Sequence, residues 1–290
     1  MTAASPSPPD VVALRAALAV PPGDGFDVGS ADTRATPAFP GDKADGRAAL
    51  ESVAGEIADL QERLYAQHRA GIAERAVLLV LQGMDTAGKG GIVRHVVGAT
   101  DPQGVMIRGF RAPTEEERAH GFLWRIRRAL PAAGHIGVFD RSHYEDVLVV
   151  RVEQLVPEAE WRSRYDLINV FEGEVAASGT SIVKVMLHIS REEQRERLGE
   201  RLDRPDKHWK YNPADLDARA RWDDYRAAYS EALARCSTPA APWYVVPADR
   251  KWYARLAVAT LLLGALRDLD LTWPPADFDV AVERERLAAS

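Results

Sequence analysis

An α/β fold built on a parallel sheet is what the sequence predicts, and three observations predict it. Short, continuously apolar runs alternate with longer runs at helical spacing. Glycine, proline and capping residues punctuate the alternation. The first apolar run leads through a glycine-rich loop straight into a helix, the opening of a strand–helix–strand unit.

Residues 1–45 are rich in Pro, Gly, Ala and Asp and read as an irregular arm, with a short helix over Asp10–Val20. The domain proper is expected over 46–290. From Gly46 to Arg69, Leu50, Val53, Ile57, Leu60 and Leu64 recur at helical spacing. Ala76–Gln82 (AVLLVLQ) is apolar throughout, the pattern of a strand buried on both faces. Val105–Gly109 and His135–Phe139 read as further strands. Between them Thr114 and Glu117 form a capping box that opens a helix through Phe122, Ile126 and Leu130. Trp161–Ala177 is an amphipathic helix, Ser181–Ile189 a strand, and Ser190 with Glu193 starts a helix towards Leu202. Asn212 and Pro213 open a long helix to about Arg235. Trp243–Val246 is the last strand and Trp252–Leu266 the last helix.

Composition excludes several classes. Ordinary apolar and charged fractions, 46% and 28%, rule out a wholly disordered chain. The only cysteine, Cys236, excludes an internal disulfide and a cysteine zinc cluster, and fits a reducing cytoplasm. A net charge of −6 argues against wholesale nucleic-acid binding. The most apolar run, Leu256–Leu266, is about half of the roughly 20 residues a membrane span needs. The first residues show neither the basic nor the apolar region of a secretory signal.

The strongest chemical signal is Gly83-Met-Asp-Thr-Ala-Gly88-Lys89-Gly90-Gly91, placed after a strand and before a helix. Its G-x-x-x-x-G-K spacing is that of a phosphate loop: glycines let backbone N–H groups converge on one anion. The helix N-terminus and the Lys89 ammonium add positive charge there. Gly83, Thr86, Ala87, Gly88, Gly90 and Gly91 are therefore candidate phosphate-binding positions. A glycine-rich turn with an incidental lysine is the alternative. Gly90 stands where a metal-binding Ser or Thr is customary, while Asp85 places a carboxylate inside the cradle. A cation has to bridge that carboxylate to phosphate, which points to Mg²⁺, or Mn²⁺ in its place, held partly by Asp85. A turn-capping aspartate is the alternative for Asp85.

The run His135–Asp140 is an apolar strand ending in a carboxylate, followed at once by Arg141. Beside a phosphate loop, Asp140 is a second candidate metal ligand and Arg141 a stabiliser of phosphoryl charge; a salt-bridged turn is the alternative. Further on, Arg201, Arg204, Lys207 and Lys210 recur every three residues, interrupted by Pro205. This resembles the mobile lid of a nucleotide kinase, over about 200–226, unless it is a solvated face neutralised by Asp203 and Asp206.

Taken in order, GMDTAGKGG, RGFRAPT, FLWRIRRALP, FDRSHYEDVLVVRV, LDRPDKHWKYNPADL and PWYVVPADRKW resemble the family-2 polyphosphate kinases from about Leu64 to about Pro274. The resemblance implies a P-loop kinase-like parallel sheet flanked by helices, with a helical lid. It implies Mg²⁺-dependent, reversible transfer of phosphate between inorganic polyphosphate and nucleotides. Asp85, Lys89, Asp140 and Arg141 then form the catalytic set, and Arg201, Arg204, Lys207 and Lys210 the lid. Arg111 and Arg125 match basic positions lining the family's phosphate channel. His143-Tyr144-Glu145-Asp146 resembles the branch that phosphorylates both mono- and diphosphates, which implies AMP and ADP as acceptors and a nucleotide-binding role for these four residues. GMP and GDP are further acceptor candidates, and a homo-oligomer, dimer or tetramer, is implied. An ATP-dependent nucleotide or small-metabolite kinase and a non-catalytic polyphosphate or nucleotide binder are the alternatives. A polyphosphate-driven reaction without ATP separates them.

Overall fold

The computed structural model describes residues 7–23 and 25–290. The elements run α1 Val11–Leu18, α2 Lys43–Arg69, β1 Ala76–Gln82, α3 Lys89–His95, β2 Val105–Gly109, α4 Glu115–Arg118, α5 Trp124–Arg127 and β3 Ile136–Asp140. They continue with α6 Val149–Val152, α7 Glu158–Ala177, β4 Thr180–His188, α8 Arg191–Asp203, α9 Ala214–Ala220, α10 Trp222–Cys236, β5 Trp243–Pro247, α11 Lys251–Arg267 and α12 Val280–Ala288.

The five strands form one sheet in the order β2-β3-β1-β4-β5, with every pair parallel. Alternate residues of each strand feed two core layers. Val77, Leu79 and Leu81 pack with α2, α3 and α11, whereas Leu78 and Val80 pack with α7 and α10. Burial on both faces explains why β1 is apolar without alternation. The apolar run in α11 is buried in the first layer, and no helix among the described residues is long and apolar enough to cross a membrane.

The order matters for function. The chain leaves central β1 towards β3 and β2 on one side and returns to β4 and β5 on the other. At such a switch point the loops beyond the strand carboxyl ends diverge and leave a crevice. Pairing Leu81 with Asp140 brings the ends of β1 and β3 level there.

In the described part of the stretch 1–45, mostly irregular outside α1, Leu14, Leu18 and Phe39 enter one core layer, Val20 and Val28 the other. An antiparallel bridge joins Ala19 to Tyr244, and the Val20 N–H donates to Trp243 O at 2.9 Å, so the arm covers the β5 edge. Its first six residues lie outside the described part, and with them most of the stretch read for a secretory signal. Three expectations change. The helix expected from Thr114 to Leu130 is two single turns. The capping box forms, with Thr114 N–H donating to Glu117 Oε2 at 2.9 Å, but the helix stops before Gly121. The helix expected from Asn212 to Arg235 breaks at Arg221, whose guanidinium donates to Val152 O at 2.7 Å. Finally, α12 lies entirely on the surface and was not expected.

Candidate active site

The loop after β1 has the backbone its glycines permit. Gly83 and Gly88 hold φ of 149° and 118°, and Thr86 takes the left-handed region at 65°. A Cβ on Gly83 would stand 2.6 Å from Leu187 O, so both conformation and space require glycine. The loop's carbonyls face outward to α8. Arg197 donates to Thr86 O and Ala87 O, both at 2.9 Å, and to Ala248 O at 2.6 Å; Gln194 donates to Asp85 O at 3.1 Å. The N–H groups of Asp85, Thr86 and Gly88 meet no acceptor among the described residues. That leaves donors for an anion, beside the N-terminus of α3.

Lys89 folds back over the loop and donates to Gly83 O at 2.8 Å. Burial lowers its pKa from the usual lysine value, against the pull of Asp85, Asp140 and Glu145. Arg141, with φ of 65°, donates its N–H to Leu81 O at 3.0 Å and a guanidinium N–H to Asp85 Oδ1 at 3.0 Å. Its own pKa is raised: burial opposes the charge, but Glu145, Asp85, Tyr229 and Asp140 together outweigh it. Burial likewise raises the Glu145 carboxyl, with Arg141 and Lys89 opposing. Asp85, Lys89, Asp140, Arg141 and Glu145 thus form one electrostatic group, in which carboxylates outnumber cations.

Such a balance suits a phosphate only together with a metal ion. Among the described residues no three His, Cys, Asp or Glu side chains converge as a closed metal cage. Magnesium on phosphates takes only one or two carboxylates, completing its shell with water and phosphate oxygens. The half-buried Asp85 and Asp140 meet that need, and the Thr86 hydroxyl is a buried polar atom without a partner in the same loop.

The four residues expected at the nucleotide divide. Ser142 Oγ accepts from Tyr144 N–H at 3.2 Å and starts a 3₁₀ turn over His143–Asp146. Glu145 and Asp146 line the cleft, whereas His143 and Tyr144 are buried in the core and line neither cavity. Tyr144 OH donates to Glu172 Oε1 at 2.8 Å, and His143 Nε2 lies 3.1 Å from the same oxygen. Lys184 completes this knot on Glu172, Tyr144 OH and Cys236 O. Sequence reading missed Glu172 and Lys184; a lysine in the middle of the apolar run SIVKVMLHI was the available signal.

Arg125 is part of the lining of the larger cavity. It is buried and committed, donating to Arg111 O at 2.8 Å and lying 3.5 Å from Asp146 and 3.6 Å from Glu117. Burial raises the Asp146 carboxyl despite Arg125 and Arg164, which pairs with it at 3.1 Å. Arg111 itself is exposed at the rim. These residues surround a cavity of about 780 Å³ with apolar walls at Phe122, Val149 and Leu155. A second cavity of about 200 Å³ lies between the phosphate loop and α9–α10, lined by Gly83, Asp85, Asp215 and Tyr229. Arg141 and Glu145 border both.

Among the cations at and beyond the end of α8, Arg201 donates to Lys210 O at 2.9 Å and lies 3.3 Å from Asp215 on the cleft wall. Pro205–Lys210 form a 3₁₀ helix, whose three-residue period stacks Lys207 and Lys210. Arg204 and Lys207 both pair with Asp206 in the open, at 2.9 and 3.3 Å, and line neither cavity. Gln194, Arg197, Asp215 and Tyr229 are further members of the site that no local motif announced.

Comparison with known proteins agrees with this geometry. Residues 41–272 match the family described as Polyphosphate kinase 2. The chain is 44% identical over 255 residues to the AMP/ADP-polyphosphate phosphotransferase of Meiothermus ruber, covering 88% of this chain and 94% of that one. It is 42% identical over 264 residues to the ADP-polyphosphate phosphotransferase of Rhodopseudomonas palustris, covering 87% and 89%. The crystal structure of polyphosphate kinase 2 from Arthrobacter aurescens superposes with a TM-score of 0.94 at 53% identity, covering 99% of this chain and all of that one. With the phosphate loop, the strand-end Asp140-Arg141 pair and the parallel sheet in place, the chain belongs to the polyphosphate kinase 2 family.

Proposed function

We propose that the protein transfers phosphate from inorganic polyphosphate to AMP and to ADP, with GMP and GDP as further acceptors. The observation that carries this reading is the pair of unlike cavities meeting at Arg141 and Glu145. The small one, walled on one side by Gly83, Met84 and Asp85 of the phosphate loop, suits the reacting phosphates. The large one, apolar on part of its wall, suits a nucleoside with its phosphates pointing inward.

In this reading the terminal donor phosphates lie against the N–H groups of Asp85, Thr86 and Gly88, under the Lys89 ammonium. Arg201, Arg204, Lys207 and Lys210 close over the chain behind them. Arg141 is positioned to neutralise the group in flight. A terminal oxygen of AMP or ADP bonds to the end phosphorus of the donor as the anhydride P–O bond breaks, and the shortened polyphosphate departs with the electron pair. The acceptor oxygen is largely ionised near neutral pH, the second phosphate pKa being about 6, so the step requires no general base. Asp85 and Asp140 would hold Mg²⁺, or Mn²⁺ in its place, which supplies charge neutralisation between donor and acceptor. Exposed Trp273, Phe278 and Leu287 support assembly as a homo-oligomer, and the reduced, buried Cys236 supports a cytoplasmic setting.

The test is ATP formation from polyphosphate and ADP with no ATP supplied, read by luciferase. Robust light output is expected. Binding of both substrates without product would mark a non-catalytic binder, and activity only with ATP as donor would mark an ordinary kinase.

A further inference from the structure

Behind the phosphate loop lies a group of cations that the mechanism does not use. Gly91, Arg94 and His95 share one face of α3, being three and four residues apart. Arg255 of α11 leans over that face: its Nη2 lies 3.8 Å from where a Cβ on Gly91 would stand. Arg47 of α2 follows Gly46, where Trp252 of α11 presses so close that a Cβ would be 2.3 Å from its ring, and its charge is felt at Arg255. Three elements therefore deliver Arg47, Arg94, His95 and Arg255 to one patch.

The patch is uncompensated. Among the described residues none of the four makes a hydrogen bond or ion pair to a carboxylate, although Arg197 and Arg201 of nearby α8 are both paired. The cations feel one another instead. After burial, Arg255 and Arg94 lower the His95 pKa, and after burial Arg47 lowers that of Arg255. Mutual repulsion without a counter-charge, in a chain of net charge −6, is the arrangement of a surface that meets a polyanion. The stripe also begins at Gly91, within the phosphate loop motif, so it continues outward from the place where donor phosphates are held.

We propose that Arg47, Arg94, His95 and Arg255 bind the distal stretch of the polyphosphate donor, beyond the phosphates in the loop. The inference rests on the reading that the loop receives polyphosphate. It adds that the chain runs over Gly91 onto the outer face of α2, α3 and α11, so that long donors gain contacts which short ones cannot reach. The cations act on affinity alone, since none reaches the reacting phosphate.

The experiment compares long-chain polyphosphate with tripolyphosphate as donors to ADP, in the wild type and in the Arg47→Ala/Arg94→Ala double variant. Both side chains are exposed, so the fold is expected to persist, and circular dichroism checks it. KM for the long donor is expected to rise about tenfold, while KM for tripolyphosphate and for ADP stays put. The salt dependence of long-chain binding, by anisotropy of labelled polyphosphate, should become shallower by about one to two in log–log slope. Equal effects on both donors, or none on the long one, would overturn the inference. So would displacement of the labelled chain by single-stranded DNA at equal phosphate concentration, which would make the patch a nucleic-acid surface. Lys89→Ala separates the two levels. If it abolishes turnover with both donors while the double variant changes nothing, only the distal track falls; if it leaves turnover intact, the loop reading falls first.

Discussion

At Lys89 a full positive charge is carried inside the loop, tied to Gly83 O at 2.8 Å, where burial already strains its protonated form. An arriving phosphate supplies the counter-charge, so the lysine's attraction is largest where negative charge builds up in transfer. Lys89→Ala should therefore lower turnover by at least about two orders of magnitude, roughly 3 kcal/mol, with little change in melting temperature. Steady-state kinetics and a thermal melt together check this. Glu172 tells the opposite story, of charge used for architecture. Burial raises its pKa, but Lys184 and His143 reverse the sign and leave it below the usual glutamate value. The pair's stabilisation is then complete above the unfolded value of about 4.3 and is lost as pH falls through the lower folded value. Glu172→Gln should cost about 3 kcal/mol at neutral pH and flatten the acid limb of stability, measured by urea unfolding at several pH values. Lys89 was legible because its spacing from Gly83 and Gly88 is local. Glu172 and Lys184 were not, since nothing in either segment says that α7 will lie across β4 at that register.

Elements were legible where a short stretch determines its own state. β1 and β2 have the bounds their apolar runs suggest, and Pro205 marks the end of α8. The misses are tertiary. Arg221 breaks α9 from α10 because Val152 O, distant in sequence, takes its guanidinium. The arm packs because the open edge of β5 offers it backbone partners at Tyr244 and Trp243. The lid proposed over about 200–226 belongs to this scale too. Its exposed Arg204 and half-buried Lys207 hold only exposed Asp206, a pairing weak enough in water to be exchanged for phosphate. Arg204→Ala and Lys207→Ala should each raise KM for polyphosphate more than KM for ADP, with the difference shrinking at high salt. Kinetics at two ionic strengths decide the matter, and equal effects on donor and acceptor would reduce the segment to a charged surface. By contrast Arg197, which is nearly fully buried and holds four backbone carbonyls, should tolerate no neutral replacement. Arg197→Met should lower the melting temperature, as a calorimetric scan will show, because those carbonyls lose their partner.

For the whole molecule, the sheet order could not be read from the chain, yet it is what sets β1 between β3 and β4 and opens the crevice. In the proposed reading the larger cavity receives the acceptor, and Glu145 and Asp146 are part of its lining. AMP with excess polyphosphate should therefore yield ADP first and ATP later, seen by chromatography over time; a clean stop at ADP would assign a single-acceptor enzyme. Among the described residues the border shared by the two cavities, Arg141, Glu145 and Val149, holds no Ser, Cys or His, His143 being held on Glu172 in the core. The proposed mechanism therefore has donor and acceptor bound together, the phosphorus changing hands once per turnover. One displacement turns the three spectator oxygens inside out like an umbrella. A donor made chiral at its terminal phosphorus with sulfur and oxygen isotopes should give a nucleotide of opposite handedness, where a phosphoenzyme relay would preserve it.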